Sequence, residues 1–316
     1  MTNQKQPLII ISGPTSAGKT ALSLKLAKTI GGEIISADSM QVYRHMDIGT
    51  AKIKPSETDG VPHYLIDCLN PDEEFNVSVF RTLAEQAIET IRKNGHIPIV
   101  VGGTGFYIQA LLKGVEFDEE DRSDGFRAEL ERIAEEPDGE DVLFEMLRRA
   151  DPKSCEIIPK QNKKRVIRAL EFEHYHGEPI SLHNAQSAEQ EPQYNYAYFV
   201  LTKDRDTLYD GIERRVDQMM REGLLAEVQN LVKLGYSDCT VAMQGLGYKQ
   251  LLAYVRGECT LEEAVYRIKL ETRHFAKRQL TWFRREKDVI LYNKSTMSEE
   301  EILRQMLSIL KEKAIV

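Results

Sequence analysis

Five short apolar runs organise the first two hundred residues. Residues 8–12 read LIIIS and end in a glycine-containing turn, after which residues 20–30, TALSLKLAKTI, place Leu22, Leu26 and Ile30 at helical spacing. That change of period predicts a strand, a loop and a helix. Further runs at 33–37, 63–66 and 97–101 end at Asp38, Asp67 and Gly102-Gly103, and each predicts another strand. Between the last two, residues 77–94 carry a helical pattern closed by Gly95, where a left-handed C-cap favours glycine. A fifth run, YAYFVL at 196–201, predicts a strand that returns to the same sheet. Strands buried on both faces read as continuous apolar runs, and their alternation with helices predicts an α/β fold: a parallel sheet flanked by helices on both faces.

From 115 to 191 the pattern changes to charged helices interrupted at Asp151-Pro152, Ile158-Pro159 and Glu178-Pro179, with no strand signal. The predicted organisation is a sheet-bearing core from 1–114 and 196–316, with an all-helical insertion at 115–195. From Arg205 onward helical patterns dominate to the C-terminus.

Composition adds a core of real size, since 41% of the 316 residues are hydrophobic and 29% charged. No run approaches the roughly 20 apolar residues of a membrane span. The opening MTNQKQPLIII lacks the segments of a secretory signal, so a cytoplasmic protein without a membrane partner is expected. Cys68, Cys155, Cys239 and Cys259 have no CxxC spacing, which suggests neither a disulfide framework nor a zinc site. The net charge of −8 is local: residues 116–141 hold thirteen acidic residues against three Arg, leaving about +2 on the rest. Residues 264–287 hold eight Lys and Arg against two Glu, together with Phe275, Trp282 and Phe283. Such a stretch can track phosphates and stack bases, although a charged, solvated helix is the commoner explanation of such a run.

Residues 13–20, Gly13-Pro14-Thr15-Ser16-Ala17-Gly18-Lys19-Thr20, match G-x-x-x-x-G-K-[ST] where the first strand gives way to a helix. Glycines let the backbone wrap phosphate oxygens, the helix N-terminus adds partial positive charge, Lys19 neutralises oxygens, and the Thr20 hydroxyl suits Mg²⁺. The fold expected is therefore P-loop NTPase-like, with a diphosphate or triphosphate ligand. The loop alone does not choose between phosphoryl transfer and stabilisation of a departing diphosphate.

Ser36-Ala37-Asp38-Ser39-Met40-Gln41-Val42-Tyr43 and Asp47-Ile48-Gly49-Thr50-Ala51-Lys52 resemble the tRNA dimethylallyltransferase family. So do Gly102-Gly103-Thr104-Gly105-Phe106-Tyr107-Ile108, Lys164-Arg165-Val166-Ile167-Arg168-Ala169-Leu170-Glu171, Gly247-Tyr248-Lys249, and the block Thr272-Arg273-His274-Phe275-Ala276-Lys277-Arg278-Gln279-Leu280-Thr281-Trp282-Phe283. Ahead of Lys164 the family's His-Pro-Asn type of sequence is replaced by Pro159-Lys160-Gln161-Asn162.

The resemblance implies magnesium-dependent transfer of a dimethylallyl group from dimethylallyl diphosphate to N6 of the adenosine 3′ of certain tRNA anticodons. An adenine amino group must lose a proton as it attacks, and Asp38, at the carboxyl end of a strand beside the phosphate loop, is the candidate base. By position alone Asp38 is equally a turn residue or helix N-cap. Arg215 resembles the arginine that the family brings to the diphosphate opposite Lys19, with Arg205 as a second candidate; Arg214 and Arg221 read as surface arginines. By resemblance, Ser39, Met40, Gln41 and Thr104 line the nucleotide side, and Gly247, Tyr248 and Lys249 belong to the tRNA site. Arg127, Gln161, Asn162, Lys163, Lys164, Arg165 and Arg168 fall at tRNA-contacting positions, and the basic ones also read as a solvated helix face. The target base is expected to be flipped out of its stack.

Two other reaction types share the loop chemistry: prenyl transfer to free adenine nucleotides and phosphoryl transfer by a small-molecule kinase. A helical insertion and a basic C-terminal segment favour a polynucleotide acceptor. The lack of a heptad pattern or apolar surface stripe suggests a monomer.

Overall fold

The computed structural model describes residues 5–114, 125–236 and 240–316; residues 115–124 of the insertion, with part of the acidic stretch, and Cys239 lie outside the described residues. The chain divides into two compact units, Met1–Leu112 with Gln193–Val316, and Lys113–Pro192.

The first unit starts with β1 (Gln6–Ser12), α1 (Lys19–Ile30), β2 (Gly32–Ser36), β3 (His63–Tyr64), α2 (Val77–Lys93), β4 (Ile97–Gly102) and α3 (Gly105–Lys113). The second unit holds α4 (Phe126–Glu135), α5 (Gly139–Ala150), α6 (Pro152–Ile157), α7 (Lys163–His176) and α8 (Ile180–Glu189). The chain then returns through β5 (Tyr194–Thr202), α9 (Arg205–Glu222), α10 (Leu224–Lys233), α11 (Tyr248–Val255), α12 (Leu261–Phe283), β6 (Val289–Asn293) and α13 (Glu299–Glu312).

The strands form one parallel sheet in the order β3-β2-β4-β1-β5-β6. Successive strand residues face opposite sides. Leu8, Ile10, Ile35, Val100, Tyr198 and Val200 join a core closed by α2, α3, α10, α11 and α12. Ile9, Ile11, Ile34, Ile99, Phe199 and Leu201 join another, closed by α1 and α13. This double coverage is why these strands carry no polar alternation.

One strand goes beyond the expectation and one is shorter than expected. Among the C-terminal helices, β6 pairs with β5 at the sheet edge, and its five residues, with Leu291 half exposed, lack the double-sided apolar run that marks inner strands. The predicted strand at 63–66 is shorter, because Leu65 and Asp67 adopt positive φ, 61° and 54°, and turn the chain out of the ladder.

The second unit has its own core, Leu130 and Ala134 of α4 meeting Leu143 and Leu147 of α5 and Val166, Ile167 and Leu170 of α7. The buried Asp151 carboxylate starts α6, accepting from the backbone N–H and hydroxyl of Ser154, and ties in α8 through the same two groups of Ser181. Burial works against its charge, yet these hydrogen bonds prevail and hold the carboxyl below the usual aspartate range.

Candidate functional site

β1, β2 and β4 end side by side, and their outgoing loops open one pocket of about 470 Å³ within the first unit. The Ser12 hydroxyl donates to the Gly102 carbonyl (2.7 Å), tying the ends of β1 and β4. Gly18 sits at the N-cap of α1 with φ 87°, a conformation costly for any other residue, and offers no side-chain acceptor to the first helical N–H groups. Those donors and the helix dipole are left to an anion. The buried Ser16 hydroxyl in the same loop has no hydrogen-bond partner among the described residues.

Of the basic residues that line this pocket, Lys19 and Arg215 lie close enough to repel each other. The Lys19 ammonium donates to the carbonyls of Gly13 and Pro14, at 2.9 Å each. Arg215, from α9, makes no ion pair or hydrogen bond among the described residues, although it lines the pocket. Burial, then repulsion by Arg215, lowers the Lys19 pKa to about 8, against the pull of Asp38. Burial lowers that of Arg215 too, again with Asp38 opposing. Two positive charges that disfavour each other persist here with one aspartate between them. The site is short of negative charge and suited to a multiply charged anion.

Asp38 follows β2. Its Oδ1 accepts from the backbone N–H groups of Met40 (2.9 Å) and Gln41 (3.3 Å), whereas Oδ2 has no intramolecular partner among the described residues. Turn residue and candidate base are thus one residue with its two oxygens divided between the roles. Gln41 is fixed at both ends of its amide: Oε1 accepts from the Ser36 hydroxyl and Nε2 donates to the Thr50 carbonyl. Thr104, after β4, lines the same pocket and starts α3, its carbonyl accepting from Tyr107 and Ile108.

The loop between Gln41 and Lys52 is held from a distant element. Glu227 of α10 accepts from three successive backbone N–H groups, Asp47 (2.9 Å), Ile48 (2.7 Å) and Gly49 (3.1 Å), and from the Tyr248 hydroxyl (2.7 Å). The buried Lys52 ammonium closes the loop, donating to the Tyr43 carbonyl and to Asp47 and Asp67. Glu227→Ala leaves those donors unmet and is expected to cost about 2–3 kcal/mol in a urea melt. Glu227→Gln, which keeps the acceptor oxygen, should cost less, and equal losses would remove the hydrogen bonds as the cause.

A match to the family described as IPP transferase spans residues 41–286. The chain belongs to the IPP transferase family. A second match, to a family described as isopentenyl transferase, spans residues 6–75. The chain is 55% identical over 312 residues to a tRNA dimethylallyltransferase of Lachnoclostridium phytofermentans, covering 98% of this chain and 99% of that protein. It is similar to the crystal structure of a full-length tRNA isopentenylpyrophosphate transferase from Bacillus halodurans, with a TM-score of 0.73, 40% identity and 98% of each chain covered. A eukaryotic dimethylallyltransferase acting on tRNA gives a TM-score of 0.81 at 29% identity, over 98% of this chain and 79% of that one.

In this IPP transferase family member the pocket gathers Lys19, Thr20, Asp38, Ser39, Met40, Gln41, Thr104, Arg215, Tyr248 and Lys249. Tyr248 is buried with its hydroxyl on Glu227, and Lys249 pairs with Glu271 (2.9 Å). Arg205 lies over the Tyr209 ring (5.3 Å) and is not among the pocket residues.

The basic residues of the second unit divide. Arg127 pairs with the buried Glu171 (2.8 Å) and with Glu131, and Arg168 lies 3.8 Å from Glu171. Asn162 caps α7, accepting from the Arg165 N–H, and Lys163 donates to the Ala134 carbonyl. Gln161, Lys164 and Arg165 are exposed, and the two cations have no ion pair among the described residues. Glu227 and Gln279, which hold the loops around the pocket, carried no individual assignment in the sequence: the first is one acidic position on an amphipathic helix, the second an uncharged residue in a basic block.

Proposed function

We infer that the chain transfers a dimethylallyl group from dimethylallyl diphosphate to N6 of an adenosine beside a tRNA anticodon. The observation that carries this reading is the pairing, in one pocket, of two unneutralised cations with a carboxylate that has one oxygen free. Family membership supplies the acceptor, since the relatives are named for tRNA.

In the proposed reaction the adenine N6 lone pair forms the new bond to the prenyl C1. The C1–O bond breaks, and its electron pair leaves with diphosphate. The N6 proton passes to the free Oδ2 of Asp38, whose Oδ1 stays anchored by two backbone N–H groups. Lys19, Arg215 and the N–H groups opening α1 face the oxygens where charge grows, so they act most strongly at the transition state.

Magnesium fits this site as a partner of the diphosphate. The Thr20 hydroxyl at the start of α1 has no intramolecular partner, and no cluster of His, Cys, Asp or Glu able to cage a metal occurs among the described residues. Thr20 and phosphate oxygens would hold it, as suits an ion that keeps most of its water shell. When bound it neutralises charge on the leaving group. Gln161, Lys164 and Arg165 are the residues of the second unit we assign to tRNA, the two free cations to its phosphates. We take the monomer as the working unit. No helix among the described residues is long and apolar enough to cross a membrane.

The test is incubation with Mg²⁺, labelled dimethylallyl diphosphate and, separately, unmodified tRNA or AMP, followed by mass analysis of nucleosides. Label on a tRNA adenosine is expected. Label on AMP alone would replace the polynucleotide acceptor with a free nucleotide, and no transfer to either would overturn prenyl transfer.

Lys19 also sets a pH dependence. It is charged below its pKa of about 8 and neutral above, and a bound anion favours the charged form. Affinity for inorganic diphosphate is therefore expected to fall above about pH 8, by at most about tenfold per pH unit for one proton. Titration calorimetry across pH 7 to 10 checks this, and Lys19→Met should flatten the profile.

A further inference from the structure

Gln279 lies buried in α12 between two loops that serve opposite halves of the reaction. Its Oε1 accepts from the Thr15 N–H (3.1 Å), in the loop assigned to diphosphate. Its Nε2 donates to the Gly103 carbonyl (2.9 Å), in the loop that leads to Thr104 and the acceptor side. Among the described residues, no other side chain hydrogen-bonds to both loops.

The fit is narrow in chemistry and in space. One neighbour is a donor and the other an acceptor, and a carboxamide satisfies both with adjacent atoms. A carboxylate would set an acceptor against the Gly103 carbonyl, and a thioether would satisfy neither firmly. A Cβ built on Gly103 stands 2.3 Å from the Gln279 Nε2, so any side chain there evicts the amide. The Thr15 N–H is one of the loop amides, and here it holds the loop to α12. Phe275 and Thr272, three or four residues apart on the same face of α12, also line the pocket, so the helix is one of its walls.

We propose that Gln279 is a positioning residue: it sets the separation and angle between the diphosphate loop and the acceptor loop, so that N6 meets C1 opposite the leaving oxygen. It touches neither reacting atom. Its loss should leave each substrate bound and the two misaligned, which costs rate because reacting groups lose their near-attack geometry. Misalignment should also let water compete for the prenyl carbon, forming the prenyl alcohol with release of diphosphate. This proposal rests on the prenyl-transfer reading above.

The test compares wild type with Gln279→Met, Gln279→Glu and Gly103→Ala, reading thermal midpoint, affinity for each substrate, kcat, and diphosphate released per prenyl group on tRNA. For Gln279→Met, affinities within about threefold of wild type, kcat lower by about 10 to 100-fold, and more than one diphosphate per transfer are expected. Gly103→Ala keeps Gln279 and displaces its amide, so the same signature is expected there, and the double variant should be no worse than the poorer single one. If Gln279→Met does not fold, Gly103→Ala carries the test alone. Unchanged kcat, or activity lost only in proportion to folded fraction with one diphosphate per transfer, overturns the positioning role. Failure of wild type itself to label tRNA overturns the underlying reading instead.

Discussion

Asp38→Asn is expected to lower kcat for prenyl transfer by about 10²–10⁴-fold, the range general-base catalysis supplies, while thermal stability and diphosphate affinity change little. The substitution separates the turn role of one oxygen from the base role proposed for the other. Oδ1 accepts from the N–H groups of Met40 and Gln41, and an asparagine oxygen does the same, so the turn that orients Ser39 and Gln41 survives. Oδ2 has no intramolecular partner among the described residues, and an amide nitrogen in its place takes no proton. Asp38→Ala removes both functions and should lose stability as well as rate, so the difference between the variants measures the turn. The decisive data are single-turnover rates with enzyme in excess, which exclude product release. An asparagine variant with wild-type single-turnover rate would reduce Asp38 to a turn residue and require another base.

The sheet was legible in the sequence where physics left a one-dimensional trace. Ile9, Ile10 and Ile11 are apolar in succession because both faces of β1 are covered, and Gly102-Gly103 marks a strand end where a side chain would strike the Ala37 backbone or the Gln279 amide. The edge strand β6 left a weaker trace. The same holds at the site. Lys19 and Asp38 could be found because loop spacing and strand ends announce them. Glu227 could not, because its partners are backbone N–H groups 178–180 residues away, which have no signature in residue type. The basic positions of the second unit show the converse. Arg127, Lys163, Arg165 and Arg168 look alike in sequence, yet Glu171 and the Ala134 carbonyl engage Arg127, Arg168 and Lys163, while Arg165 is exposed. Charge is visible in a sequence, but its neutralisation is a property of the folded neighbours.

Arg215→Gln is expected to lower kcat by about 10²–10³-fold and, without ligand, to raise the thermal midpoint. The two effects have one origin. Arg215 stands in the pocket with no ion pair or hydrogen bond among the described residues, and burial disfavours its charge. It also depresses Lys19, second only to burial itself, so the empty site holds two cations at each other's expense. Removing one relieves desolvation and repulsion together, which favours the ligand-free fold. In the proposed reaction the departing diphosphate reverses the balance: its charge rises as C1–O breaks, and a preorganised guanidinium that costs stability without ligand would stabilise the transition state most. The same substitution should raise the Lys19 pKa above about 8 and move the loss of diphosphate affinity to higher pH. A lower thermal midpoint with the Lys19 profile unmoved would make Arg215 a structural residue and leave the leaving group to Lys19 and the loop amides.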